Sequence, residues 1–332
     1  MKKIISILVA ICALIVGCGV FSACTSVFKD DGKIKIVATI FPEYDWVESV
    51  LGDKKDNAEV TLLLDSGVDL HNFQPTVADV ATISTCDLFI YVGGESDEWV
   101  GDALKTAVNK NMTVINLLEV LGDKAKEEEL VEGMEGEHEH EHEEGEEEEE
   151  EEEVEYDEHV WLSLKNARVF TSAIASALGK IDPDNATYYA QNAEHYNTKL
   201  AELDGRYESA VNAAARKTVL FGDRFPFRYL ADDYGLTYFA AFTGCSAETE
   251  ASFATITFLA GKIDELGLNT ILKIESSKDS IAQAIKTNTA SKDQKILTMD
   301  SLQSSTLRDY NAGKRYLTVM ENNLTVLTEA LA

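Results

Sequence analysis

Cysteine and proline are scarce in this chain, at five and four of 332 residues. Three of the cysteines, Cys12, Cys18 and Cys24, crowd into the N-terminal segment, which leaves Cys86 and Cys245 in the body. Two thiols so far apart make no disulfide framework, so the fold must rest on an apolar core. Both are expected to pack as small hydrophobes, although they could pair. Basic character is also lacking. Acids outnumber Lys and Arg by 59 to 29, which removes the positive face that nucleic acid requires. A glycine-rich phosphate loop, a nucleophile elbow and a Ser/His/Asp arrangement are missing too, so no catalytic apparatus stands out.

The acidity is local. Residues 127–158 hold 21 acids and no Lys or Arg, and the remaining 38 acids against 29 bases describe a mildly acidic body. Within this block His138, His140 and His142 alternate with glutamates, eight consecutive glutamates follow, and His159 stands at the exit. The block cannot bury enough apolar surface to fold, so a solvated loop is expected. Imidazoles are the commonest side-chain ligands of zinc-like metals, and carboxylates add oxygen donors. Metal handling is therefore the first functional expectation. His138-Glu139-His140-Glu141-His142 formally matches a zinc-protease pattern. That pattern carries meaning only on a packed helix, and this one lies in a polyglutamate tract.

The N-terminus reads as a targeting segment, with Lys2-Lys3 ahead of the apolar run 4–16. Cysteine follows small residues twice, at Cys18 and Cys24. This resembles a bacterial lipoprotein signal, in which cleavage before the cysteine exposes it for lipidation. Cys24 is the better anchor because a polar tether follows it, and Cys18 is the alternative. The expected division is a signal peptide over 1–23 and a tether over 24–32. The run is short for a membrane span, and either way the body lies outside the cytoplasmic membrane.

From residue 33 onward, strand and helix patterns alternate, which predicts an α/β fold with mainly parallel sheets. Strands are expected over 34–39, 59–64, 87–92 and 112–116, then over 218–221, 237–241, 269–274 and 295–299. Helices are expected over 41–51, 97–109, 163–178, 228–234, 250–266, 280–287 and 313–331. After Asp182-Pro183, Tyr189, Ala193, Tyr196, Leu200, Leu203, Tyr207 and Val211 recur at helical spacing with no proline before Pro226. A helix of about 30 residues spans about 45 Å and can join two lobes. The domains read as an N-terminal lobe over 33–181 that contains the acidic loop, a linker helix over 182–217, and a C-terminal lobe over 218–332. A cleft lies between the lobes.

His71 follows the second strand and His159 precedes the helix over 163–178. Ends of strands in open α/β sheets are where ligands bind. The acids flanking His159 suit it for metal ligation by fixing the ring.

Several segments together resemble one family, the zinc/manganese substrate-binding lipoproteins of bacterial ABC importers. They are the signal with its cysteine, Thr39-Ile40-Phe41-Pro42, Gly67-Val68-Asp69-Leu70-His71, Tyr91-Val92-Gly93-Gly94-Glu95, and the acidic His loop ending in Asp157-Glu158-His159-Val160-Trp161-Leu162-Ser163. The resemblance extends to Tyr316-Leu317-Thr318-Val319-Met320-Glu321-Asn322-Asn323-Leu324. It implies one metal held between two lobes that a long helix joins, with His71 and His159 as ligands. The family's third ligand falls near Arg224, and arginine cannot ligate. Replacement ligands are sought at strand ends in the second lobe: Asp300, then Glu275, then Cys245, which lies near Glu248 and Glu250. Arg224 and Asp223 could form an ion pair that braces the site. The two histidines with carboxylates suit Zn²⁺ and tolerate Mn²⁺, and a Cys245 ligand favours zinc.

The implied function is capture of extracytoplasmic Zn²⁺ and its delivery to an ABC permease with its ATPase. The protein would be monomeric, lipid-anchored to the membrane and free of organic cofactor. The acidic loop would concentrate metal or sense its excess. Mn²⁺ or Fe²⁺ as cargo is the near alternative. A zinc hydrolase or a surface adhesin is the distant one.

Overall fold

The computed structural model describes residues 32–135, 155–246 and 250–332. Cys18, Cys24, His138, His140 and His142 lie outside the described residues. Residues 34–332 form one compact unit. Among the described residues no helix is long and apolar enough to cross a membrane.

Short apolar runs form two four-stranded sheets. The first holds β1 (Ile34–Ala38), β2 (Ala58–Leu62), β3 (Leu88–Tyr91) and β4 (Thr113–Asn116). The second holds β5 (Thr218–Arg224), β6 (Thr237–Phe242), β7 (Thr270–Ile274) and β8 (Lys295–Met299). The strand orders are β2-β1-β3-β4 and β6-β5-β7-β8, and every pairing is parallel. In each sheet the order reverses beside its first strand, which opens a crevice at the carboxyl ends of the strands. The predicted strands are therefore present, each within a few residues of its expected bounds.

Helices cover the sheets: α1 (Phe41–Leu51), α2 (Val77–Thr85), α3 (Trp99–Lys105), α4 (Leu117–Leu121), α5 (Leu164–Ile181), α6 (Ala186–Ala213), α7 (Arg228–Tyr234), α8 (Phe253–Leu266), α9 (Ser280–Asn288), α10 (Leu307–Asn311) and α11 (Tyr316–Ala330). At 28 residues, α6 is about 42 Å long. It buries the seven residues whose spacing predicted it. Near its start Asn192 donates to the carbonyl of Val50 at 2.9 Å and Tyr196 reaches Asp45 at 3.3 Å, both on α1. Near its end the Tyr207 hydroxyl donates to the carbonyl of Met320 on α11 at 2.6 Å. One helix thus braces the surroundings of both sheets. A single apolar core runs with it, from Ile36 and Leu88 of the first sheet to Phe221 and Ile274 of the second.

The flanks of the acidic block depart from the solvated loop expected over 127–158. Glu127 and Tyr156 pair as an antiparallel bridge, and the amide of Glu128 donates to the carbonyl of Glu155 at 2.9 Å. Residues 126–135 then cross to the second sheet. Tyr238 donates to Glu129 at 2.8 Å, Arg228 pairs with Glu129 at 3.2 Å, and Glu135 pairs with Phe242 alongside edge strand β6. Covering a sheet edge satisfies backbone groups that would otherwise face solvent. Glu128, Glu129 and Glu135 have specific partners here, which local charge density does not reveal.

Candidate metal centre

Four loops that follow strands, and the exit of the acidic block, converge at the mouth between the sheets. His71 sits in a turn after β2, where the Asp69 carboxylate accepts from the His71 amide at 3.2 Å and fixes the turn. Ser96 follows β3. Its path depends on Gly94, whose φ of +82° favours glycine, and a Cβ there would run into the Glu158 carboxylate. The Glu158 carboxylate accepts from the Ser96 amide at 2.9 Å. His159 is fully buried against Trp161, with ring centroids 5.2 Å apart.

Both imidazoles have their Nδ1 atoms committed. His159 Nδ1 lies 3.1 Å from Asp157 Oδ1, and a carboxylate only accepts, so Nδ1 carries the proton. His71 Nδ1 lies 2.8 Å from Ser96 Oγ and 3.4 Å from Glu158 Oε2, which favours the same tautomer. Each ring therefore presents an Nε2 lone pair, and the two Nε2 atoms are 3.2 Å apart. Burial, together with the neighbouring His159, pushes the His71 pKa down to about 3, so its ring stays neutral and able to ligate. Burial raises Glu158 to about 7.

The second half contributes Cys245, whose sulfur lies with the two imidazoles in a group of donor atoms all within 4.8 Å of one another. Gly244 allows this approach, because a Cβ there would lie 2.9 Å from the carbonyl of Phe225 and 3.0 Å from the His159 ring. The Cys245 amide donates to Glu128 Oε1 at 3.0 Å. Burial, with the charges of Asp157, Glu128 and Glu158, raises the Cys245 pKa well above the usual thiol value. Cys245 and Cys86 are both free thiols; Cys86 is buried in the core of the first sheet, as a small hydrophobe would be.

Asp300 and Glu275 do not join this cluster. Asp300 pairs with Lys314 at 2.6 Å and caps the amide of Leu302 at 2.8 Å. Glu275 is taken by Ser301, accepting from its amide at 2.7 Å and its hydroxyl at 3.0 Å. The residue that reaches the imidazoles after β8 is Gln303. Its amide nitrogen lies 2.7 Å from His159 Nε2 and 3.4 Å from His71 Nε2. Gln303 carries no charge, so its residue type alone does not mark it as a donor.

Arg224 does not pair with Asp223. A register shift between Phe221 and Arg224 re-aims the end of β5. Arg224 then bonds Asp69 Oδ2 at 2.6 Å and the carbonyl of Ser246 at 3.0 Å. Against burial, which would raise it, the Arg224 guanidinium and His71 hold the Asp69 carboxyl below its usual range. Asp223 instead accepts from the amides of Arg224 and Ile274, both at 2.9 Å.

The cluster opens through a cleft of about 520 Å³ whose lining includes Glu95, Glu98, Glu128, Glu155 and Glu158. A cleft lined by one sign of charge concentrates the opposite ion, here cations.

The family of periplasmic zinc-uptake complex component A (ZnuA) matches residues 36–330. The zinc-binding lipoprotein AdcA of Streptococcus pneumoniae is 33% identical over 335 residues, 99% of this chain and 61% of that protein. The chain thus spans about three fifths of that relative's length. The high-affinity zinc uptake system protein ZnuA of Bacillus subtilis is 32% identical over 324 residues, 97% of this chain and 96% of that protein. Among solved structures, the Zn(II)-bound ZnuA-like domain of S. pneumoniae AdcA aligns with a TM-score of 0.69 at 29% identity, covering 90% of this chain and 99% of that domain. The chain belongs to the ZnuA family of periplasmic zinc-uptake components.

Proposed function

We propose that this protein captures Zn²⁺ in the cleft between its sheets and delivers it to an ABC permease and its ATPase. The observation that carries the reading is the pair of neutral imidazoles whose Nε2 atoms stand 3.2 Å apart. Two lone pairs this close suit a cation, and in the structure the Gln303 amide nitrogen meets them. Two zinc-bound nitrogens in a tetrahedral site stand about 3.3 Å apart, so little movement is needed to admit the ion. The ligand set is His71 and His159 from the first half and Cys245 from the second, with Gln303 beside them. The names of the relatives support zinc as cargo. Lipidation at Cys24, or alternatively at Cys18, would hold the protein outside the cytoplasmic membrane.

Calorimetric titration with Zn²⁺ tests this on the mature chain and on a version lacking 136–154. The deletion stops there because residues 126–135 and 155–158 are packed. One tight site should survive the deletion and disappear in His71→Ala and in His159→Ala. A tight site that vanishes with 136–154 and ignores both histidines would sink the proposal.

A further inference from the structure

We propose that Cys245 determines which metal this site accepts, because among the described residues its sulfur, bound as thiolate once the metal displaces the proton, is the one Cys, Asp or Glu donor grouped with both imidazoles. The inference rests on the capture reading above and adds the class of cargo: thiophilic divalent cations such as Zn²⁺ and Cd²⁺, to the exclusion of Mn²⁺, Mg²⁺ and Ca²⁺.

Carboxylates surround the cluster, yet none of them shares a donor group with both imidazoles among the described residues, and most have other partners. Asp69 takes the Arg224 guanidinium at 2.6 Å and the His71 amide. Asp157 takes both the amide and Nδ1 of His159, at 2.8 and 3.1 Å. Glu128 takes the Cys245 amide, and Glu275 takes Ser301. Glu158 has Oε1 on the Ser96 amide, while its Oε2 has no hydrogen-bond partner and lies 3.4 Å from His71 Nδ1, the ring nitrogen turned away from the cluster. Among the described residues, the only group of three His, Cys, Asp or Glu donor atoms close enough to share an ion is that of His71, His159 and Cys245. Manganese, magnesium and calcium depend on carboxylate, carbonyl and water oxygens, whereas thiolate and imidazole suit zinc.

Gln303 supports this reading. Its amide nitrogen donates into both Nε2 lone pairs, so a neutral group holds the place of the cation. Its Oε1 lies 3.1 Å from Ser301 Oγ, whose proton can go to Glu275 instead. Turning the amide over directs Oε1 at an arriving ion and the NH₂ at Ser301 Oγ. The hydroxyl can accept as readily as donate, so both orientations stay bonded. The oxygen that Gln303 would offer is neutral, so it adds no anionic oxygen for a hard cation.

The test uses the mature chain, with Co²⁺ as spectroscopic probe and Zn²⁺ against Mn²⁺ in competition titrations. The wild type should show a sulfur-to-cobalt charge-transfer band in the near ultraviolet. Cys245→Ser, which keeps every other thiol, should lose it. Zn²⁺ preference over Mn²⁺ should fall in Cys245→Ser by on the order of 100-fold, since losing a ligand costs at least as much as losing a group that supports one. Cys245→Asp, which supplies an anionic oxygen, should bind Mn²⁺ more tightly than the wild type does. Far-ultraviolet circular dichroism of the metal-free variants checks that they fold. Tight Zn²⁺ binding that needs His71 but gives no sulfur band, or full discrimination in Cys245→Ser, would overturn this inference and leave capture standing. Absence of tight Zn²⁺ binding in the wild type would overturn capture itself.

Discussion

Asp157 shows how one side chain prepares another. It accepts from the amide and from Nδ1 of His159, fixing both the position and the tautomer of that ring. Asp157→Asn keeps an acceptor but removes the charge that favours ligation. Zinc affinity should fall about 10- to 100-fold, read by calorimetric titration, with thermal unfolding of the metal-free protein nearly unchanged. Glu43 is a different case. It is fully buried, and one oxygen accepts from the amide of Thr39 at 2.8 Å and of Ile40 at 3.3 Å. Its other oxygen has no hydrogen-bond partner. Burial is the main reason its pKa rises from 4.5 to about 8. A raised folded-state pKa means that the folded protein holds the extra proton between those values. Glu43 therefore contributes stability that is full below about pH 4.5 and is lost as pH climbs through about 8. Glu43→Gln should match the wild type in urea unfolding at the acid end and exceed it above about pH 8. Equal pH profiles would refute the assignment.

At the scale of elements, α6 gives the most direct structural prediction. Leu200 is completely buried midway along it, so Leu200→Ala should cost about 2–5 kcal/mol in denaturant unfolding while leaving metal affinity intact. The same helix explains why so much of the fold was legible. Its seven buried residues recur at a spacing that only a helix turns to one side, and the strands are short apolar runs bounded by polar turns. The helix α2 was missed because little of it is apolar and buried: Val77 is 89% exposed, and Ile83 is its one fully buried hydrophobe. Its mark was the cap, Thr76 with Asp79, in which each side chain bonds the other's amide. Around the site, His71 and His159 could be found because histidine is rare in the body and both lie in recognisable segments. Asp300 and Glu275 lie outside the donor group, and strand-end acids look alike in sequence. Nothing local reveals that Asp300 turns to Lys314, or that Gln303, three residues on, reaches the rings. For Cys245 the local signal was the glycine before it, whose significance depends on the distant His159 ring.

For the whole molecule, the decisive contact is the one between Arg224 at the end of β5 and Asp69 in the turn after β2. Both side chains are 12% exposed, and the pair ties the two halves together beside the metal cluster. Arg224→Ala would leave Asp69 buried without its partner and should cost about 3 kcal/mol in denaturant unfolding. The double variant Arg224→Met with Asp69→Asn should recover much of that loss, because both charges then leave the interior. If the single and double variants unfold alike, the pair is not coupled. The acidic cleft, the facing imidazoles and this cross-link form one assembly, and each depends on loops from both sheets.

The packed roots of the acidic block bear on how the chain answers to cutting. Residues 126–135 lie along β6 of the second sheet, while 155–158 return to the first half beside His159. Cleavage of any peptide bond within 136–154 would therefore divide the polypeptide without dividing the protein. The fragment ending in this strap would remain bound to the sheet it covers, and the other fragment would keep His159 and Cys245. The two should migrate as one species under native conditions and part only in denaturant. Expressed as separate chains, they are a natural pair for reconstituting the metal cluster from halves.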